Sequence, residues 1–232
     1  MRLAIIPARG GSKRIKNKNI KLFYNKPIIY WSIKAAKESK LFDKIIVSTD
    51  SLKIARISKK YGAEVPFIRP KIFSNDKVNT FKVVKHALKW HEERNIHFDY
   101  TCCIYPTAPF VTSKLIKRSF NVLLKRKKFF AFTAGLFSHP IHRGFNINKN
   151  NVIKAIWPNN EKKRSQDFKA VYHDIGQIYW GTNEAFIKEK KLFSKNSVPI
   201  LLPKFLCHDI DNYEDWINAE LMFKFIKKNG TP

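Results

Sequence analysis

The chain has 232 residues, 44% of them hydrophobic, with a formal net charge of +27 and three cysteines. That length suits one α/β domain with a full core, and its apolar runs fall far short of the roughly 20 residues of a membrane span. Residues 3–7 are too short to be the apolar centre of a signal peptide, so a soluble, cytoplasmic protein with no membrane partner is expected. Cys102 and Cys103 are adjacent in an apolar stretch and Cys207 stands alone, a pattern with no zinc spacing and no disulfide framework. The charge invites a nucleic-acid reading. Against it, only ten of the 45 basic residues are Arg, the residue that base-edge readout favours, and the lysines are spread along the chain. A solvated basic surface, with a minority of cations in a cleft for an anionic small substrate, accounts for both facts.

The elements follow a strand-then-helix rhythm. Residues 2–8, "RLAIIPA", are a continuous apolar run bounded by Pro and Gly, the pattern of a strand buried on both faces. After a basic loop, residues 26–40 carry Ile29, Ile33 and Ala36 at helical spacing, with Pro27 suited to a first turn. Residues 43–50 predict a second buried strand, 51–61 a helix stopped by Gly62, and 63–70 an extended piece. A longer helix is expected over 76–94, with Phe81, Val84, Ala87, Leu88 and His91 on one face. His91 reads as a packed core-edge residue. Residues 98–110 predict a third strand running into a proline-rich turn, 112–127 a helix and 128–137 a fourth strand. Right-handed crossovers then make a mostly parallel sheet with helices on both faces.

Residues 138–172 break the rhythm. They are rich in His, Asn, Lys and Pro and too long for a plain loop, so they predict an excursion towards a partner subunit, a substrate, or both. Strand character resumes over 173–182, an extended segment covers 198–211, and 212–228 predict an amphipathic helix with Ala219, Met222, Phe223 and Ile226 on its apolar face. The whole chain reads as a single domain, with 138–172 inserted in it.

Ligands of such a sheet bind where its strands end. The loop "PARGGSKRIKNKN" follows the first strand. It is neither a P-loop nor a dinucleotide fingerprint. Gly10 and Gly11 can still expose backbone N–H groups to an anion, with Arg9, Lys13 and Lys18 neutralising phosphates; taken alone, a surface turn explains the loop equally well. Near the other end, "DID" places Asp209 and Asp211 on the same side of an extended segment. Two such carboxylates suit Mg²⁺, which binds through one or two carboxylates plus substrate phosphates. The bland alternative makes Asp211 the cap of the next helix, with Glu214 three residues on. "STD" at 48–50 reads as a helix cap, and Arg69 and Thr80 lie where a base can be contacted. His139, His142, Arg143, Arg164, Gln166, His173 and Asp174 form a polar set without metal spacing.

Together these residues resemble the CMP-sialic acid synthetase family, the cytidylyltransferases that activate nine-carbon acidic sugars. "IIPARGGSKRIKNKN", "FDKIIVSTDS", the Arg69–Pro70 pair, "YPTAPF" and "DIDNYEDWINAE" occur in family order over essentially the whole chain. Within the family, "CCIYPTAPF", "RSQDF" and "YHDIGQIYWG" most resemble the pseudaminic acid cytidylyltransferases. Tyr105 stands where sialic acid members commonly have Gln, and Lys16 where Pro is usual. The resemblance implies a three-layer α/β/α nucleotide-diphospho-sugar transferase (Rossmann-like) fold, a homodimer formed through 138–172, CTP and an acidic nine-carbon sugar as substrates, and Mg²⁺. It implies Arg9, Gly10, Gly11, Ser12, Lys13, Lys18, Asn19, Arg69 and Thr80 for CTP, and Asp209 and Asp211 for the metal. Tyr105, Arg164, Gln166 and His173 fall to the sugar; Lys13, Lys18 and Asp211 are the catalytic candidates, Asp211 also as the base. The expected reaction yields a CMP-sugar acid and pyrophosphate, for surface-glycan or flagellin glycosylation. No specific nucleic-acid partner is expected.

Overall fold

The computed structural model describes residues 1–75 and 77–230. It contains β1 (Arg2–Pro7), a small hairpin of β2 (Leu22–Phe23) and β3 (Lys26–Pro27), α1 (Ile28–Ser39), β4 (Lys44–Ser48), α2 (Leu52–Lys60) and α3 (Thr80–Glu92). β5 (Tyr100–Ile104), α4 (Ser113–Arg126), β6 (Phe130–Leu136), a second hairpin of β7 (Phe145–Ile147) and β8 (Ile153–Ala155), β9 (Tyr172–Thr182), α5 (Asn183–Ile187), β10 (Ser197–Leu201) and α6 (Tyr213–Asn229) follow. Six strands form the central sheet in the order β10-β6-β9-β5-β1-β4.

Side-chain alternation along the strands divides the core into two layers. Ala4 and Ile6 of β1 point to one face, where Ile29, Ile33, Ile54, Ile116 and Phe120 from α1, α2 and α4 cover them. Leu3 and Ile5 point to the other, under Val84, Ala87 and Leu88 of α3 and Phe186 of α5. A strand covered on both sides has no reason to alternate polar and apolar residues, which is why 2–8 is uniformly apolar. Cys102 and Cys103 of β5 are fully buried, one in each layer.

The sheet is mostly parallel, as expected, with one reversed member. β9 runs antiparallel between β5 and β6, while β1 is parallel to both β4 and β5, and β10 is parallel to β6. The β6–β9 register shifts between Phe132 and Ala134. Gly176 of β9 takes φ +59°, a left-handed conformation that a side chain would strain. The predicted helix over 76–94 begins at Thr80, where the Asn79 side chain accepts from the Lys82 N–H; its expected first residue, Asp76, lies outside the described residues. Residues 138–172 form the β7–β8 hairpin with short 3₁₀ turns around it.

A third apolar cluster joins the chain's two ends. Ile15 and Phe23 meet Phe110, Ile210, Trp216 and Phe223, so α6 is packed against the basic loop. Ile15 is only 1% exposed although cations flank it on both sides.

Candidate active site

The basic loop is held by its own polar groups as well as by Ile15. The Ala8 N–H donates to the Ser48 carbonyl at 2.9 Å, and the Asn19 side-chain amide donates to the Arg9 carbonyl at 2.8 Å. The Gly10 N–H donates to Asp50 Oδ1 at 2.7 Å. This corrects the expectation for Gly10: its N–H is spent within the protein and does not face an anion. A Cβ at Gly10 would lie 3.1 Å from Ser51 Cβ, so glycine here lets the loop close on the β4–α2 turn. Gly11 faces open space. Ser51, one residue past the predicted "STD", caps α2 by accepting from the Ile54 N–H.

Asp211 meets the loop from the opposite side. Arg14 lies 3.0 Å from Asp211 Oδ2, and Lys18 Nζ lies 3.5 Å from Oδ1 while donating to the Ile210 carbonyl at 2.6 Å. The capping alternative for Asp211 does not hold. Asn212 caps α6 and Asp215 completes the box, with Asp215 Oδ2 accepting from the N–H groups of both Asp211 and Asn212. The Asp211 carboxylate is thereby left to the cleft. Burial, then the negative charge of Asp211, raises the Asp209 carboxyl pKa.

The third wall comes from β4, α3 and β5. Arg69 is 4% exposed; its guanidinium donates to Ser48 O at 3.2 Å and to Ser74 Oγ at 3.0 Å. Burial lowers its pKa, the charge of Asp50 opposes that shift, and Arg9 adds to it. Thr80 Oγ1 and the Tyr105 hydroxyl are hydrogen-bonded at 2.9 Å. Ser32 donates to the Tyr105 carbonyl at 2.7 Å, which fixes the β5 end against α1.

These walls enclose a cleft of about 270 Å³. It gathers Arg9, Ser12, Lys13, Lys18, Asn19, Arg69, Thr80, Tyr105 and Asp211 from across the chain. Gly10, Gly11, Asp209, Arg164, Gln166 and His173 are not on its lining. Arg164 is exposed and pairs with Asp167 at 3.0 Å, and Gln166 sits exposed on the same 3₁₀ turn. Within this one chain neither is turned to the cleft, because both belong to the excursion beyond β6. His173 rests its ring 4.7 Å from that of Phe137, with Nδ1 3.0 Å from the Asp174 carbonyl. Arg14 also lines the cleft, whereas the exposed Lys16 does not. Sequence reasoning also passed over Tyr179, whose hydroxyl donates to Asp174 at 2.7 Å. Its position inside an apolar strand run hid it.

Among the described residues no group of three or more His, Cys, Asp or Glu is placed to hold a metal ion. Asp209 and Asp211 nevertheless fit Mg²⁺. They are hard oxygen donors whose mutual repulsion a cation relieves, and Mg²⁺ takes its remaining positions from water and phosphate.

A family model described as cytidylyltransferase matches residues 3–222. The chain is 39% identical over 222 residues to a pseudaminic acid cytidylyltransferase of Campylobacter jejuni subsp. jejuni serotype O:2, covering 96% of each. It is 30% identical over 224 residues to a CMP-N,N'-diacetyllegionaminic acid synthase of Legionella pneumophila subsp. pneumophila, again covering 96% of each. Among solved structures, CMP:2-keto-3-deoxy-manno-octonic acid synthetase complexed with CTP is similar in fold. Its TM-score is 0.68 at 13% identity, covering 97% of this chain and 98% of that one.

Proposed function

The chain belongs to the cytidylyltransferase family, and we propose that it converts CTP and pseudaminic acid into CMP-pseudaminic acid and pyrophosphate. The observation that carries this reading is the 39% identity over 96% of the chain to a relative of that name. The cleft is chemically suited to it. An anomeric hydroxyl attacks the α-phosphorus, and the bond to pyrophosphate breaks. Such a transition state asks for alignment and for neutralisation of developing negative charge. Lys13 and Lys18 supply positive charge beside the phosphates, and Arg9, Ser12 and Asn19 hold the nucleotide. Arg69 and Thr80 take the base, and Tyr105 faces the sugar. Asp209 and Asp211 would hold Mg²⁺, which when bound polarises phosphoryl oxygens and steadies the leaving group.

The reading extends to assembly and place. Residues 138–172 expose Phe145 (54%), Ile147 (62%) and Ile153 (65%), apolar surface that a second copy of the chain would cover in a homodimer. In such a dimer, Arg164 and Gln166 would serve the partner's cleft rather than their own. Among the described residues no helix is long and apolar enough to cross a membrane, and we place the reaction in the cytoplasm, where CTP is made. Pyrophosphate release from CTP, measured across pseudaminic, legionaminic and N-acetylneuraminic acids, is the test. The highest kcat/KM is expected with pseudaminic acid. Preference for either of the others would overturn the substrate, and no release with any of them would overturn the transfer.

A further inference from the structure

β4 stands at the end of the sheet order, and its last residues carry two walls of the cleft, one on each edge of the strand. On the β1 side, the Ala8 N–H donates to the Ser48 carbonyl at 2.9 Å. On the other side, the Arg69 N–H donates to the Thr49 carbonyl at 2.7 Å. The Arg69 guanidinium then reaches back to the same Ser48 carbonyl at 3.2 Å. Ser48 and Thr49 are fully buried. The β1–β4 register ends at Pro7 and Ser48, and the basic loop departs after Ala8. Asp50 takes over there. Its Oδ1 accepts from the Gly10 N–H at 2.7 Å, the short distance of a charge-assisted bond. The Gly10 carbonyl accepts from the Ser12 N–H at 3.1 Å, so both backbone polar groups of Gly10 are fixed. A Cβ at Gly10 would stand 3.1 Å from Ser51 Cβ, so the contact with the turn admits no side chain without movement. Asp50 is not on the lining of the cleft, whereas Ser12 and Lys13, just past Gly10, are.

We infer that Asp50 is a positioning residue: its carboxylate clamps the start of the basic loop to the turn from which Arg69 hangs, so that a nucleoside triphosphate meets two walls already held at a fixed separation. The inference rests on the cytidylyl-transfer reading. A displaced Gly10 carries Ser12 and Lys13 with it, and small misplacements of binding groups are costly. The charge of Asp50 acts in the opposite sense, since a carboxylate near a site for three phosphates repels them. The two effects of this side chain therefore differ in sign. Loss of the charge favours a polyphosphate, and loss of the hydrogen bond disfavours it.

Calorimetric affinities for CTP, tripolyphosphate and cytidine test it, with the KM of the sugar acid from pyrophosphate release. Asp50→Ala removes both the acceptor and the charge. It is expected to weaken CTP and tripolyphosphate by roughly tenfold, and to leave cytidine and the sugar-acid KM within about twofold. Unchanged or tighter binding of the two phosphate ligands overturns the clamp, as does an equal loss on all four measurements, the mark of a merely structural role. Asp50→Asn keeps an oxygen for the Gly10 N–H and loses the repulsion. It is expected to bind both phosphate ligands as well as the unsubstituted protein or more tightly; a loss equal to that of Asp50→Ala overturns the inference. Gly10→Ala pushes the loop off the turn from the other side and should repeat the Asp50→Ala pattern. The double variant should be no more than about twofold worse than either single one, whereas fully additive losses overturn the shared mechanism. Ser51→Ala keeps the Cβ beside Gly10 and loses the cap of α2. It should lower Tm and leave CTP affinity unchanged, and a tenfold loss of CTP there would make the turn merely structural. If Asp50→Ala does not fold, Gly10→Ala decides by the same comparison of tripolyphosphate with cytidine. If the unmodified protein binds CTP but releases no pyrophosphate with any sugar acid, the transfer reading falls by itself, and the calorimetric affinities still decide the clamp.

Discussion

Lys18 and Lys16 sit two residues apart in one loop and have different surroundings. Lys18 is held by the Ile210 carbonyl and Asp211 and its side chain is 19% exposed, whereas Lys16 stands in solvent. A charge fixed in place before the reaction costs no reorganisation when phosphate charge develops. Lys18→Ala is therefore expected to lower kcat by about 100-fold, and Lys16→Ala to change it less than about twofold, both read from initial rates of pyrophosphate release. Asp209 permits a test without turnover. Its folded-state pKa is raised above the unfolded value, so its ionised form is the penalised one. The penalty is absent below the unfolded pKa and grows as pH rises through the folded one. Asp209→Asn should consequently raise Tm at neutral pH without Mg²⁺, by on the order of one degree, and leave it unchanged near pH 3. Added Mg²⁺ should stabilise the unsubstituted protein at neutral pH and have little effect on this variant. A variant that melts lower at neutral pH would show that repulsion at Asp209 does not matter.

At the scale of elements, α6 both closes the core and aims a carboxylate. The Asn212–Asp215 capping box satisfies the first N–H groups of the helix, and Asp215 also holds the N–H of Asp211. Asn212→Ala should cost about 1 kcal/mol in chemical denaturation. Asp215→Ala should cost a similar amount and also lower kcat, since it loosens Asp211; a stability loss with unchanged kcat would separate the cap from the cleft. This arrangement was half legible in the sequence. The aspartate spacing was plain, yet Asp211 with Glu214 and Asn212 with Asp215 have the same three-residue spacing, and only the backbone entry into α6 chooses between them. β1, β4 and β5 were legible because burial on both faces leaves an uninterrupted apolar run. The direction of β9 was not, because periodicity carries no sign of parallel or antiparallel pairing. Tyr179 stayed hidden for another reason: its hydroxyl partner, Asp174, lies five residues back on the same strand, with the left-handed Gly176 between them, and a regular strand would not bring the two side chains together. Gly10 was misread because its partner, Asp50, lies forty residues away.

For the whole molecule, the charge and the excursion make opposite demands on association. A net charge of +27 repels a second copy and attracts polyanions at low ionic strength. Because the cations are dispersed over the surface, binding to random DNA should be weak. It should vanish by about 0.2 M salt, while pyrophosphate release persists. The excursion holds the counterweight. Phe145, Ile147 and Ile153 stand exposed on the β7–β8 hairpin, a two-stranded ribbon that is too small to be stable without packing against something. A second copy would bury this face, and screening of the charge would favour it. Sedimentation should therefore show a dimer at physiological salt that weakens as salt is lowered. Ile147→Asp paired with Ile153→Asp should give a monomer whose Tm falls little, since neither residue enters the core. If Arg164 reaches the partner's cleft, that monomer should keep its affinity for CTP and lose most of its affinity for the sugar acid. A monomer with an unchanged sugar KM would leave the excursion a role in assembly alone, and a dimer surviving both substitutions would place the interface elsewhere.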